Sequence, residues 1–472
     1  MKNLLKFQPM LLMMTLTLIF TSCSDDDNDN PPIVPVEQNI VDIALATPEL
    51  SNLVAALQAA DGNLIDVLSG DGPFTVLAPT NAAFTVFLTA NGFSSLEDVP
   101  TDVLSQILLN HVISADLTAQ DLQGLGAGYT STNASGVGGN NISIYFNTAN
   151  GVRFNNVSAV STADIPASNG TIHIVDAVIP IPSVVSHAAA NENFSSLVAA
   201  LGASDIDLGA LLSEEGPYTV LAPDNAAFTT FLDGAALEDV NPTALTQILL
   251  NHVLSKTVLS TDLTTAGAGY DLTNAAGAEM NPMSIYFDTT DGVVFNGISE
   301  VTTADIVGSN GIIHAVDTVI DLPTIATFAT ANPALSGLVA AIVRADEGDN
   351  VINWLPAISN PDLLFTVFAP ADPSFDVLLD DLGVESLADV DPAAVSGLLT
   401  LHVVNDANVR STDLGGLGGV IPTIGGNLNL DGLVITDGND NPINILAPSL
   451  VDIQAINGVV HAVDYVIRAP VE

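Results

Sequence analysis

Cysteine, tryptophan and cationic side chains are nearly missing from this chain of 472 residues, which holds one Cys, one Trp and seven Lys plus Arg. The single cysteine leaves no pair for a disulfide and none to spare as a nucleophile. Against 54 acidic residues the seven basic ones leave a formal net charge of −47. Such a surface repels nucleic acid and anionic headgroups. None of the seven histidines lies within ten residues of another, so the close ligand pair of a zinc site is missing. No GxSxG, HExxH or GxxxxGK[ST] segment occurs, and the glycines around Gly124 to Gly128 neither follow a strand nor open a helix, which argues against a nucleotide loop. After Phe20 no apolar run is long enough to cross a bilayer.

What is present begins with Lys2 and Lys6 ahead of an apolar run from Met10 to Phe20 that ends in Thr21, Ser22 and Cys23. The run is short for a membrane span and reads as a secretory signal over residues 1–22. A small residue before a lone cysteine resembles the lipobox of bacterial lipoproteins, which makes Cys23 the expected lipidation site. Residues 23–36 carry Asp25, Asp26, Asp27 and Asp29 followed by prolines, a solvated, self-repelling tether with nothing to bury. An acidic run directly after such a cysteine resembles the tag that exports some lipoproteins to the outer face of the outer membrane. The localisation expected is therefore the outer membrane, lipid-anchored and facing the exterior, with the periplasmic side as the alternative. Of the acids 42 are Asp and 12 are Glu, the bias of a loop-rich protein that uses Asp in turns and caps.

The rest of the chain repeats itself. FTVLAPTNAAF (Phe74 to Phe84) returns as YTVLAPDNAAF (Tyr218 to Phe228) and as FTVFAPADPSF (Phe365 to Phe375). Each copy is followed by a leucine-rich segment ending in His111, His252 or His402, and then by NGTIHIVDAVI, NGIIHAVDTVI or NGVVHAVDYVI. The period is far too long for a solenoid and matches a whole domain.

Apolar residues at i, i+3, i+4 and i+7 predict an opening helix in each copy: Leu50, Leu53, Val54, Leu57; Phe194, Leu197, Val198, Leu201; Leu335, Leu338, Val339, Ile342. Thr47, Asn191 and Asn332 mark its starts. The TVLA core of the signature needs no water on either side, so it predicts a strand covered on both faces. Asn81, Asn225 and Asp372 stand where the cap of the following helix belongs. His111, His252 and His402 fall at the core-facing end of a helix, which predicts one ring nitrogen bonded to backbone. His173 and Asp176, like His314 and Asp317 or His461 and Asp464, are three apart in an apolar run. In a strand that spacing sends the two side chains to opposite faces, so no His–carboxylate dyad is expected. His187, outside the repeated places, is expected on a helix surface. The third copy has extra residues between Asp346 and Pro361, including Trp354.

These three segments, in this order and spacing, resemble the fasciclin family, whose FAS1 domain carries a TVFAPTNxAF segment, a Tyr-His segment and an NGxxHxxD segment. The resemblance covers residues 37 to 470 and implies an α+β fold: three tandem FAS1 domains, each a curled β-sheet wedge with helices packed on one side. The expected layout is 37–182, 183–322 and 323–470. Family members are mostly surface-attached adhesion proteins. The resemblance also implies candidate partner contacts at the Asp-Ile pairs Asp164 and Ile165, Asp305 and Ile306, Asp452 and Ile453. The residues standing in the family's tyrosine position, Asn110, Asn251 and Leu401, are the other candidates.

The function expected is adhesion to cells, matrix or polysaccharide, without catalytic residues, metal ligands or cofactor. The partner is a protein or glycan, not nucleic acid, the membrane is met only through the lipid, and the oligomeric state is left open. The alternatives are a cation-assisted glycan-binding module built on Asp437, Asn439, Asp440 and Asn441, and a passive surface stalk.

Overall fold

The structure, a computed structural model, describes residues 37–348 and 351–470. The signal, Cys23 and the tether of residues 23–36 lie outside the described residues. The first module runs through α1 (Ile40–Ala46), α2 (Ser51–Ala59), α3 (Leu64–Ser69), β1 (Phe74–Pro79), α4 (Asn81–Ala90), α5 (Thr101–Leu109), β2 (Val112–Ile113), α6 (Ala119–Leu125), β3 (Ala127–Ser135), β4 (Asn141–Asn147), β5 (Arg153–Phe154), β6 (Ser158–Ala167) and β7 (Gly170–Val175). The apolar spacing from Leu50 becomes α2, entered through a 3-10 turn at Pro48–Leu50. Before it stands α1, whose two turns are too short for periodicity to reveal. Asn39 caps α1, accepting from the amide of Asp42 at 2.9 Å.

The sheet order is β2-β1-β7-β6-β5-β4-β3. The signature strand β1 lies inside it, parallel to β7 from Phe74 opposite Gly170 to Pro79 opposite Val175 and antiparallel to β2. Alternate side chains of the two strands serve two cores. Val76, Ala78, Ile172 and Ile174 face the helices. Leu77 and Val175 face Ile113 of neighbouring β2, Leu122 of α6, and Ile144, Phe146 and Phe154 from β4 and β5 toward the other edge of the same sheet. The sheet thus curls onto itself, which explains why TVLA is apolar without alternation. The second module repeats the seven strands in the same order.

One local expectation is corrected. The residues capping α4 and its counterpart Asn225–Leu232 are Thr80 and Asp224, which accept from Ala83 at 3.2 Å and Ala227 at 2.8 Å. Asn81 and Asn225 reach instead across to the opening helix. Their Oδ1 atoms accept from the amides of Asn52 and Ser196, both at 2.8 Å, while Nδ2 donates back to Pro48 and Glu192 carbonyls. Asp372 does stand at the N-cap of its helix, Pro373–Leu382, but its side chain makes no cap bond and accepts from the Gly337 amide at 2.8 Å. The recurring Asn or Asp is a tie between two helices, a tertiary contact that local spacing cannot show.

The third module departs in its sheet. Val403–Asn405, Phe365–Pro370, Gly458–Val463 and Ile453–Ala455 form one four-stranded sheet, and Val420–Thr423, Gly426–Asp431, Val434–Thr436 and Pro442–Asn444 form another. A bridge between Ile445 and Val463, with backbone bonds from Ile424 to Val403 and from Asp464 to Asn444, connects them. The added residues after Asp346 lead into a short helix, Trp354–Ser359. Trp354 is 2% exposed and its Nε1 donates to Ser396 Oγ at 3.0 Å, so the added segment thickens the core between two helices.

Candidate functional site

The Asp-Ile corner recurs with the same geometry in all three modules. Asp164, Asp305 and Asp452 stand in the left-handed region at φ 58, 58 and 57°. Aspartate is one of the few residues that visits this region readily. In the first two modules the corner is a bulge, where the pairing register shifts just before Ile165 and Ile306. The turned backbone aims the Asp amide at a buried histidine: Asp164 donates to His173 Nδ1 at 3.2 Å, Asp305 to His314 at 3.3 Å and Asp452 to His461 at 3.2 Å.

Since a backbone N–H only donates, Nδ1 of each ring is the unprotonated acceptor. Nε2 then carries the proton and donates to the carbonyls of Leu117, Val258 and Val409 at 2.8, 2.9 and 2.8 Å. These rings are neutral, and burial lowers the pKa of His314 and His461. The Asp carboxylates come within 3.9 to 4.0 Å of the same Nδ1 atoms, yet with Nδ1 unprotonated no ion pair forms. Each carboxylate accepts instead from the amide of Ala119 at 2.7 Å, Ser260 at 2.9 Å or Ser411 at 2.7 Å. His173 and Asp176 are not a dyad: the Asp176 carboxylate accepts from the Ala159 amide at 2.7 Å.

The second set of histidines holds the opposite tautomer. Ile179, Ile320 and Ile467 amides donate to Nε2 of His111, His252 and His402, each at 2.9 Å. Nδ1 therefore donates, to the helix-end carbonyls of Ile107, Ile248 and Leu398 at 2.7, 2.7 and 2.9 Å. Burial pushes all three down to about 4. With both nitrogens occupied, none is available to a substrate or a metal.

The family's tyrosine position is interior. Asn110 and Asn251 are fully buried. Nδ2 of Asn110 donates to the carbonyls of Ile179 and Pro180 at 3.3 and 3.1 Å, and Asn251 treats Ile320 and Asp321 in the same way. Thr132 and Thr273 donate to their Oδ1 atoms at 3.3 and 3.1 Å. Leu401 belongs to the core beneath the second four-stranded sheet of the third module, that of Val420–Thr423 to Pro442–Asn444. All three side chains clamp the module from inside and offer nothing to a partner.

Contacts between modules lie beside the later two Asp-Ile corners. Tyr129 on β3 lays its ring 5.8 Å from that of His187, on the helix Val184–Ala190 of the second module, and its hydroxyl accepts from Asn191 at 3.2 Å. Ser143 on β4 accepts from the amide of Val307 at 3.0 Å. His187 is therefore buried, against the expectation of a helix surface. It does lie on its own module's surface, and the first module covers it. Burial lowers its pKa to about 4, and Nε2 donates to the Val307 carbonyl at 3.1 Å. The same joint follows one module later: Tyr270 packs 5.5 Å from Phe328 and accepts from Asn332 at 3.1 Å, and Ser284 accepts from the Gln454 amide at 2.9 Å. Ile306 and Ile453, beside these joints, are only 1% and 2% exposed. In the first module no such joint covers the corner among the described residues, Ile165 is half-buried and the Asp164 side chain is 46% exposed.

Asp437, the centre of the cation alternative, is 4% exposed. Its Oδ1 accepts from the amides of Asn439 and Asn441 at 2.8 and 2.9 Å, and its Oδ2 from Asn441 Nδ2 at 3.1 Å. That is an Asp-built turn with its oxygens already donated to. Among the described residues no group of three His, Cys, Asp or Glu is placed to hold a metal ion.

Comparison with known proteins agrees with this geometry. The family described as Fasciclin domain matches residues 48–182, 192–323 and 338–470. The chain is similar to protein sll1483 of Synechocystis sp., 38% identical over 143 residues, which is 30% of this chain and 73% of that protein. It is similar to the cell surface glycolipoprotein MPB83 of Mycobacterium bovis, 30% identical over 141 residues, 29% of this chain and 57% of that protein. It also resembles transforming growth factor-beta-induced protein ig-h3 of Sus scrofa, 29% identical over 257 residues, 53% of this chain and 35% of that protein. The chain thus spans about a third of the length of ig-h3. Three matched segments, each with two buried histidines bonded to backbone through both ring nitrogens, place this chain in the fasciclin family as a protein of three tandem fasciclin domains.

Proposed function

We propose that this chain is a surface-anchored adhesion protein that attaches its cell to other cells, to matrix or to polysaccharide. The observation that carries the reading is the series itself: three domains of an adhesion family, held in order by a joint used twice. Repeated modules on one anchor raise avidity for an immobilised partner without any new chemistry. The groups that recur and look chemical are consumed inside the modules, which supports a role in contact and not catalysis. Among the described residues no helix is long and apolar enough to cross a membrane. Attachment is assigned to a lipid on Cys23, with the acidic tether holding the first module off the membrane and the outer face of the outer membrane as its place. The partner is a protein or glycan, since a net charge of −47 opposes nucleic acid.

The partner surface proposed is the corner of Asp164 and Ile165, because the isoleucines of the later two are buried beside the joints. The test pairs protease shaving of intact cells with an attachment assay on a strain lacking the gene. Loss of the protein from shaved cells and poorer attachment of the mutant support the reading. Full protection from protease together with normal attachment would overturn it, and cleavage with normal attachment would leave a passive stalk as the function.

A further inference from the structure

A joint that repeats from first to second module and again from second to third is a head-to-tail interface. Such an interface continues indefinitely unless its two outer faces are changed. It has a hairpin side and a receiving side. The hairpin side supplies Tyr129 with Ser143, or Tyr270 with Ser284. The receiving side supplies Asn191 with the Val307 amide, or Asn332 with the Gln454 amide, and a ring at His187 or Phe328. The approach is close: a Cβ added at Gly136 would meet the Gly308 carbonyl at 2.6 Å, and one at Gly277 the Ala455 carbonyl at 2.8 Å.

The two outer faces of the series differ from this pattern. On the first module the receiving positions hold Ile43 for the ring, Thr47 for the asparagine and Pro166 for the residue whose amide donates. Proline has no N–H to give to a serine hydroxyl, and on an open strand it blocks edge pairing. Pro166 is exposed, where Val307 and Gln454 are buried. On the third module the hairpin has shrunk to Val420–Thr423 and Gly426–Asp431, and residues 420–431 contain no tyrosine and no serine. Its edge strand carries Pro422, again exposed.

We infer that Thr47 and Pro166 at one end, and the shortened hairpin with Pro422 at the other, terminate the series, so that this chain does not join a further fasciclin module end to end, its own copies included. Repeat proteins use altered terminal units in the same way to stop stacking. The face around Ile165 is closed to another hairpin of this kind and left for a partner of different chemistry.

Sedimentation velocity on two chains tests this. The cores of the first two modules draw no residue from the third, so a chain of residues 38–322 keeps them whole while uncovering Tyr270, Ser284 and Tyr286. It is expected to stay monomeric up to millimolar concentration, because the open receiving face, that of the first module, lacks both the asparagine and the amide donor. The same chain carrying Thr47→Asn and Pro166→Val regains the asparagine and the amide donor, and is expected to associate with concentration. Self-association of the unsubstituted 38–322 chain would overturn the inference, and so would a doubly substituted chain that is folded by circular dichroism yet monomeric throughout.

Discussion

The amide of Asp164 donates to Nδ1 of His173 at 3.2 Å, from a residue turned into the left-handed region at φ 58°. This one bond fixes the tautomer of the ring, the kink of β6 and the position of a carboxylate over the first turn of α6. It recurs at Asp305 with His314 and at Asp452 with His461, so the Asp of each Asp-Ile pair has a structural role whatever else it does.

Asp305→Ala is therefore expected to destabilise the second module by about 1–2 kcal/mol, through loss of the helix-end acceptor and of a residue that tolerates positive φ. Asp305→Asn keeps the left-handed preference and one acceptor oxygen, and is expected to cost less than half as much. Chemical denaturation of the two variants beside the parent measures both. Equal losses would show that charge, not conformation, matters at the corner.

Stability is expected to depend on pH well above the carboxylate range. His111, His187, His252 and His402 are held neutral with pKa values of about 4, below an ordinary value of 6.5. The unfolded chain then binds more protons than the folded one between those limits, so stability is complete above pH 6.5 and falls as pH drops toward 4. Each group removes on the order of 3 kcal/mol by the bottom of that window. Melting temperature across the range reads the effect. A flat curve down to pH 4.5 would contradict the burial of these rings.

The joints are expected to yield to one hydroxyl. Tyr270→Phe removes the acceptor for Asn332 at 3.1 Å while leaving the ring against Phe328, at a cost of about 1 kcal/mol. Gly277→Val is expected to do more, because its side chain has no room beneath the Ala455 carbonyl. Hydrogen exchange at residues 453–456 should speed up in both variants, with exchange at the first joint unchanged.

Trp354→Leu restores the residue type found at Leu64 and Leu208, but removes the bond to Ser396 and leaves space between two helices. A loss of about 2–4 kcal/mol from the third module is expected. As the chain has a single tryptophan, the parent's fluorescence reports that module alone, and its emission should be that of a buried indole.

The fold was legible in the sequence because the signature segments are local: an unbroken apolar run marks β1, helical spacing marks α2 and α5, and the helix-end position of His111 correctly implied a bond to backbone. What stayed hidden lies far apart in sequence. Asn81 looked like a cap of α4 and ties α2 instead. His187 looked exposed because the ring that covers it, Tyr129, belongs to another module. The Asp-Ile pairs stood out by recurrence, but nothing local tells that Ile306 and Ile453 are buried and Ile165 is only half-buried. Asn110 and Asn251 carry no local sign that their amides bind carbonyls about 70 residues away.

The central claim is contact through the open corner of the first module. It is tested most directly by attachment of the deletion strain complemented with the parent chain or with Ile165→Thr, each matched for surface amount by protease shaving. The parent is expected to restore attachment and the Ile165→Thr chain to restore little of it. Full restoration by the Ile165→Thr chain would contradict the account.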